Sequence, residues 1–348
     1  MPPAARIQWI DFCRVYTAFC VIVRHCDRYV ESPAFFTDLF NYRSLIFFFF
    51  LMSGYFTHRA AEGQCFDVRR AGRLLWPYLF WAAFAVVTMM PMLYWPQIQA
   101  GDWSWATPFL FLQEMGLTSW TYWSLSNVPL WFLRTLILLA LVSPLLQRLS
   151  ATAICVLILA CFAGSDVLCH ADAEAAAADG REGVEFLPFR LCESVLALGF
   201  FAGGLFLRRY ADAERLTLFV RRCAWGPVLV SLALLPAVYF WRFTPPVQSS
   251  ALVLLGVLTT MSIGCLCERY LPRFFRFVAS WGPAAFFVYV THYLVLKCIR
   301  MLLTGNYRGD LSLLEASVTP WVILVFCLTL WAILRRCFPR LMRLLALS

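Results

Sequence analysis

Asp11-Phe-Cys-Arg14-Val-Tyr-Thr-Ala-Phe-Cys-Val-Ile-Val-Arg24-His25 is the stretch that decides the fold. Around its ionisable residues the sequence is apolar, and the run from 8 to 29 is long enough to cross a hydrocarbon core of about 30 Å as a helix. Charged and titratable side chains are costly inside a bilayer, so an intramembrane Arg and His point to function. Arg14 and His25 are eleven positions apart. At about 100° per residue that is roughly three turns plus 20°, so both project from nearly the same face. They stand about 16 Å apart along the axis, too far to pair, and read as two stations on one internal path. Asp11, three residues before Arg14, is placed to hold the guanidinium in an ion pair.

The rest of the chain agrees with a membrane setting. Of 348 residues, 61% are hydrophobic and 14% charged, with mean hydropathy +0.71; a soluble globule is nearer a quarter charged. Apolar runs fall near 8–29, 39–57, 74–95, 127–147, 151–169, 187–207, 224–241, 249–267, 280–302 and 318–337. The expected fold is all-α: one transmembrane domain over 1–348, with about ten membrane-spanning helices. The first run is not read as a cleavable signal, because Asp11 and Arg14 interrupt it and no small-residue cleavage site follows. The fifth run breaks at Gly164-Ser165-Asp166. Residues 96–126, with Trp103, Trp105, Trp120, Tyr122 and Trp123, are expected as an interfacial or re-entrant piece. The acidic, alanine-rich 170–186 is expected as a solvated loop.

Basic residues set the orientation. With both termini in the cytoplasm, the inner loops carry Arg59, Arg69, Arg70, Arg73, Arg148, Arg208, Arg209, Arg215, Arg221, Arg222, Arg269, Arg273 and Arg276, and the tail adds Arg335, Arg336, Arg340 and Arg343. The outer side carries only Arg28, Arg181, Arg242, Arg300 and Arg308. This positive-inside bias also accounts for the net charge of +9 through anionic membrane lipid, without nucleic acid. The fourteen cysteines are scattered, mostly inside spans, and read as small buried apolar residues. They include no Cys-x-x-Cys pair, and no metal site is expected. Cys26 and Cys169, both placed near the outer face, are candidates for a bridge.

No phosphate-binding loop, dinucleotide fingerprint, zinc-protease helix or Gly-x-Ser-x-Gly elbow is present. Chemistry therefore falls to polar residues within the spans: Asp11, Arg14, Arg24 and His25; Arg43 and Ser53; Asn127 and Arg134; Arg190 and Glu193; His292 and Lys297. Several have plain structural readings. Arg190 and Glu193 suit an ion pair, His292 suits helix packing, Ser53-Gly54 suits a close helix contact, and Trp131 suits packing.

These residues match a family pattern. The chain resembles acyltransferase family 3, the bacterial integral-membrane acyltransferases that O-acetylate or succinylate cell-envelope glycans. The resemblance runs in order. Arg14, ten residues, then His25 is its first-helix signature. Phe47-Phe-Phe-Phe50-Leu-Met-Ser53-Gly54-Tyr55 is similar to its Phe-Phe-x-x-Ser-Gly-Tyr stretch. Arg70-Ala-Gly-Arg73, followed by Pro77-Tyr78, is similar to its Arg-x-x-Arg motif. Leu130-Trp131-Phe132-Leu133 and Val288-Tyr-Val-Thr-His292 complete the set. Arg24 stands where the family usually has an apolar residue.

The resemblance implies a multi-pass protein of the bacterial inner membrane. Its partners would be membrane lipids, an acyl-coenzyme A such as acetyl-CoA as donor, and a hydroxyl of an envelope glycan or lipid-linked sugar as acceptor. Arg70 and Arg73 would hold the donor phosphates, since the guanidinium fork suits them. His25 would take the acceptor's proton as general base, or relay the acyl group covalently. Arg14, held by Asp11, would steady the donor. Ser53, Tyr55, Trp131 and His292 are substrate-lining or structural candidates. Two other readings stay open: a transporter or flippase, which would usually show two related halves, and the other membrane O-acyltransferase superfamily, which would make His292 the catalyst.

Reporter fusions after residues 64, 178 and 348 are expected to read inside, outside and inside. An outside reading at 64 would reverse the orientation.

Overall fold

The computed structural model describes residues 7–27, 42–58, 61, 63–101, 104, 130–178, 191–240, 250–305 and 311–345. Among these, every regular element is helical. In chain order they are α1 (Gln8–Asp27), α2 (Tyr42–Tyr55), α3 (Val68–Ala100), α4 (Leu130–Arg148), α5 (Ala151–Ala178), α6 (Leu191–Tyr210), α7 (Ala213–Cys223), α8 (Trp225–Phe240), α9 (Ser250–Tyr270), α10 (Pro272–Ser280), a 3-10 turn (Gly282–Ala284), α11 (Ala285–Thr304), α12 (Leu313–Cys337) and α13 (Pro339–Leu345). A helix occupies each apolar run read from the sequence. By length and apolarity, six stretches among the described residues can cross a bilayer, or seven if α7 and α8, bent by 46°, form one broken span. α1 is not counted because it carries Asp11, Arg14, Arg24 and Asp27, and α2 because it is only 14 residues long. The protein is an all-α polytopic membrane protein.

α1 lies inside the bundle, packed by α2, α9, α10, α11 and α12. Cys13, Ile22 and Cys26 are fully buried along it. α5 and α12 are peripheral, with Val156, Leu159, Val167, Trp321, Val325 and Phe326 exposed, as a lipid-facing surface requires. α7 and α10 are short and amphipathic. α7 buries Leu216 and Val220 and leaves Arg221 and Arg222 outward. α10 buries Phe275 and Ala279, with Phe274 and Phe277 outward beside Arg273 and Arg276. Such helices suit the membrane interface.

Two expectations change. The break at Gly164-Ser165-Asp166 does not end α5, which continues to Ala178. Residues 170–178, expected as loop, are therefore helical, and 179–186 lie outside the described residues. The polar side chains there find partners in neighbouring helices. Asp166 Oδ1 accepts from the backbone N–H and the hydroxyl of Ser250, both at 2.8 Å, and so satisfies a first-turn donor of α9. Ser165 Oγ donates to the Cys192 carbonyl at 2.9 Å. Of the tryptophan-rich segment, 96–100 form the end of α3, and the rest, apart from 101 and 104, lies outside the described residues. So does Arg190, hence the expected Arg190–Glu193 pair.

α2 and α6 bring their backbones into direct contact at two glycines. A Cβ on Gly204 would collide with the Leu51 carbonyl oxygen and lie 2.6 Å from the Tyr55 nitrogen; one on Gly54 would collide with the Phe201 carbonyl oxygen. The blocking atoms are backbone, so no side chain can yield. Gly204→Ala is expected to lower the thermal midpoint in detergent, with overpacking costing about 1–3 kcal/mol. Gly72→Ala, where a Cβ meets nothing within 4 Å, is expected to be neutral or stabilising by about 0.5–1 kcal/mol.

Candidate active site

His25 lies in the last turn of α1, and α11 supplies its surroundings. The His25 and His292 rings have centroids 5.3 Å apart, and the Tyr293 ring meets His25 edge-on at 5.2 Å. His292 is 0% exposed. Its Nδ1 lies 2.7 Å from the Tyr289 carbonyl oxygen. A carbonyl can only accept, so Nδ1 carries the proton and Nε2 presents a bare lone pair. That Nε2 is buried and has no hydrogen-bond partner among the described residues. Lys297, also buried, holds its Nζ 5.1 Å from the Tyr293 ring centroid.

Arg300 completes the arrangement. It is 1% exposed, and its Nη2 donates to the His25 carbonyl at 3.0 Å. That carbonyl is among the last four of α1, which have no partner within the helix. A cation there also meets the negative end of the helix dipole. Tyr289, His292, Tyr293, Lys297 and Arg300 follow at helical spacing, so they share one face of α11. The sequence reading picked out His292 and Lys297 singly. The repeat of polar residues every three to four positions is the signal that would have joined them and added Tyr293 and Arg300.

From this face an aromatic chain leads into the other motif helices. Tyr289 packs on Phe132 at 5.4 Å and on Phe49 at 6.1 Å. Phe132 packs on Phe50 at 4.7 Å. Trp131 packs on Phe50 at 6.0 Å, and Phe47 continues to Phe200 of α6 at 5.2 Å. Stretches of α1, α2, α4 and α11 far apart in sequence thus line one region. Trp131 is buried in it.

The acyltransferase domain family matches residues 7–334, nearly the whole chain. The chain belongs to acyltransferase family 3. It is therefore an acyltransferase, which decides for an enzyme over a transporter. No curated protein and no solved structure matches the chain.

The remaining family motifs lie toward the opposite end of α1. Arg14 Nη1 and Asp11 Oδ1 pair at 3.2 Å, with the Asp11 side chain 6% and the Arg14 side chain 38% exposed. Asp11 is backed by the 3-10 turn. A Cβ on Gly282 would sit 2.6 Å from the Asp11 Cβ and 2.7 Å from its Oδ1, so glycine there lets the backbone close over the carboxylate. Arg70 and Arg73 begin α3, where Asp67 Oδ1 accepts from the Arg70 backbone N–H at 3.0 Å. The two arginines differ. Arg70 Nη1 donates to Thr57 Oγ1 at 2.6 Å, and its Nη2 to the Ser53 carbonyl at 3.1 Å. Arg73 is exposed. Ser53 meets Arg70 through its backbone, and Tyr55 donates its hydroxyl to the Ala211 carbonyl at 3.2 Å, with Arg208 stacked 5.7 Å from its ring centroid. Arg70, Ser53 and Tyr55 thus tie the end of α2 to its neighbours.

Arg300→Met is expected to lower kcat by up to about 100-fold at unchanged donor KM, since an ångström of misplacement can cost that much. Arg300→Lys is expected to recover part of the loss. Unchanged kcat in a well-expressed Arg300→Met protein would remove Arg300 from the support of His25.

Proposed function

We propose that this acyltransferase moves an acetyl or succinyl group from acyl-coenzyme A to a hydroxyl of an envelope glycan or lipid-linked sugar at the inner membrane, as a single catalytic domain. The observation that carries the reading is the pairing of half-buried His25 with fully buried His292, their ring centroids 5.3 Å apart, beside the aromatic contacts of the other motif helices. Neutral imidazole, with an ordinary pKa near 6.5, is a competent base at neutral pH. In the proposed step His25 takes the hydroxyl proton as the oxygen attacks the thioester carbonyl. The carbon–sulfur bond then breaks, and the proton passes to the departing coenzyme A sulfur. His292, whose Nε2 lone pair is bare, lies close enough to steady His25 or share that proton. The aromatic region of Phe49, Phe50, Trp131, Phe132 and Tyr289 excludes water from the thioester.

The donor enters from the inner face. Arg73, exposed at the start of α3, offers its guanidinium to the nucleotide phosphates. Arg70 can contribute only by exchanging its hydrogen bonds to Ser53 and Thr57. Arg14, oriented by Asp11 and partly exposed, meets the pantetheine arm between that mouth and His25. Positive-inside loops place the basic ends of the helices in the cytoplasm, where acyl-coenzyme A is made.

His25→Ala is expected to reduce acyl transfer by about 10²–10⁴ at near-normal expression, the usual loss for a general base. His292→Ala is expected to lose less, because it removes a support rather than the base. Arg73→Ala is expected to weaken acyl-coenzyme A binding more than Arg70→Ala, measured by calorimetry in detergent. Full turnover in His25→Ala together with a dead, well-folded His292→Ala would transfer the base to His292. Intact transfer in both variants would remove the pair from the chemistry.

A further inference from the structure

We propose that Cys169 and Cys192 form a disulfide joining the outer ends of α5 and α6, an inference that rests on the membrane orientation given above. The antiparallel register of the two helices brings these residues together. A Cβ on Gly199 would lie 3.0 Å from the Cys161 Cβ, and one on Gly164 would lie 3.9 Å from Val195 Cγ1. Further out, Ser165 Oγ reaches the Cys192 carbonyl at 2.9 Å. Cys169 is four residues after Ser165, one helical turn of about 6 Å, and so stands over the start of α6. There the Cys169 and Cys192 side chains come within interaction range of each other across the two helices. The carrying observation is the antiparallel register of α5 and α6, fixed by the Ser165 hydrogen bond to the Cys192 carbonyl and by the Gly164 and Gly199 contacts. A bridge needs about 2 Å between sulfurs and Cα atoms roughly 4.4–6.8 Å apart, within reach of side-chain rotation from such a contact.

The sequence reading named Cys26 and Cys169 only as candidates for a bridge. The structure separates them: Cys26 is fully buried with Val288, Leu296, Ile323 and Cys327, where α1 meets α11 and α12. Cys13 is also engaged elsewhere, donating to the Thr260 carbonyl at 3.3 Å. Among the cysteines near the outer end of a helix, the Cys169–Cys192 pair is the one whose thiols meet across two helices.

The surrounding groups suit a stepwise oxidation. Cys192 is buried, and its Sγ donates to Glu193 Oε2 at 3.0 Å; Cys169 is the more exposed of the two. The co-reactant is a dithiol–disulfide oxidant of the outer compartment, where disulfides form and persist. The Cys169 thiolate attacks one oxidant sulfur, giving a mixed disulfide and releasing the other as a thiol. Glu193 then takes the Cys192 proton, the Cys192 sulfur attacks Cys169, and the oxidant's second sulfur leaves and is protonated. Two protein thiols lose two protons and two electrons, and the oxidant's disulfide becomes a dithiol. The bridge closes the 22 residues between the two cysteines and fixes α6, whose glycine seam carries α2.

The test uses the full chain in membranes of intact cells. Outside-facing thiols are capped with a membrane-impermeant maleimide. The protein is then denatured, the remaining thiols are capped with an isotopically distinct maleimide, and it is digested with and without reductant. The expected result is a peptide pair linked through Cys169 and Cys192 that vanishes on reduction, and in Cys169→Ser a Cys192 that takes up maleimide without reduction. Cys169 capped from outside without reductant would overturn the disulfide and leave the orientation standing. Cys169 capped only after denaturation, without reductant, would overturn the disulfide and, if a thiol introduced at position 178 also escapes the outside reagent, the orientation with it. A Cys26–Cys169 link would overturn the pairing.

Discussion

A helix that carries ionisable groups through a membrane must be surrounded by protein. α1 meets this constraint with five packed neighbours, and much of the structure follows from it. Asp11 is closed over by a turn that depends on Gly282, and Arg14 pairs with Asp11 on the same helix. The far end of α1 receives Arg300 on the His25 carbonyl. Asp11 and the His25 carbonyl thus meet specific partners from the 3-10 turn and from α11, and those contacts help fix the height of α1. The residues proposed for catalysis inherit that position.

Arginine at helix C-termini is a recurring device here. Arg300 serves α1 in this way, Arg70 serves α2 through the Ser53 carbonyl, and Arg209 serves α4 through the Gln147 and Leu149 carbonyls at 2.8 and 3.0 Å. The last carbonyls of a helix lack internal partners and carry partial negative charge. A guanidinium satisfies two acceptors at once where an ammonium cannot match the fork. Basic residues that read from the sequence only as topology signals therefore also lock helix ends. This divides the Arg-x-x-Arg motif: Arg70 is engaged by α2, whereas Arg73 faces outward.

The site is mostly aromatic and apolar, with its few polar groups concentrated on one face of α11. The reaction proposed for it, attack of a sugar hydroxyl on a thioester carbonyl, needs one base and little competing water. The Phe47–Phe50 run, Trp131, Phe132 and Tyr289 provide a dry wall, and the two imidazoles stand at its edge. The same helix face brings in Lys297, over the Tyr293 ring, and Arg300, on the His25 carbonyl.

The sequence by itself determined the membrane class and the helices at each apolar run. Those follow from hydropathy and helical period, which are local properties. It also gave the Asp11–Arg14 pair, because partners three residues apart meet within one helix. It read 170–178 as loop, whereas α5 continues through Asp166, whose carboxylate meets Ser250 84 positions away, to Ala178. It left Cys26 and Cys169 only as candidates for a bridge, because topology places a residue at a membrane depth but not beside a given helix. The meeting of His25 with His292, and the hold of Arg300 on the His25 carbonyl, were decided only by the tertiary structure. Both depend on the rotation and height of α1 against α11, which are set by side-chain packing and by the glycine contacts that let backbones approach; neither is encoded in the period of either helix alone.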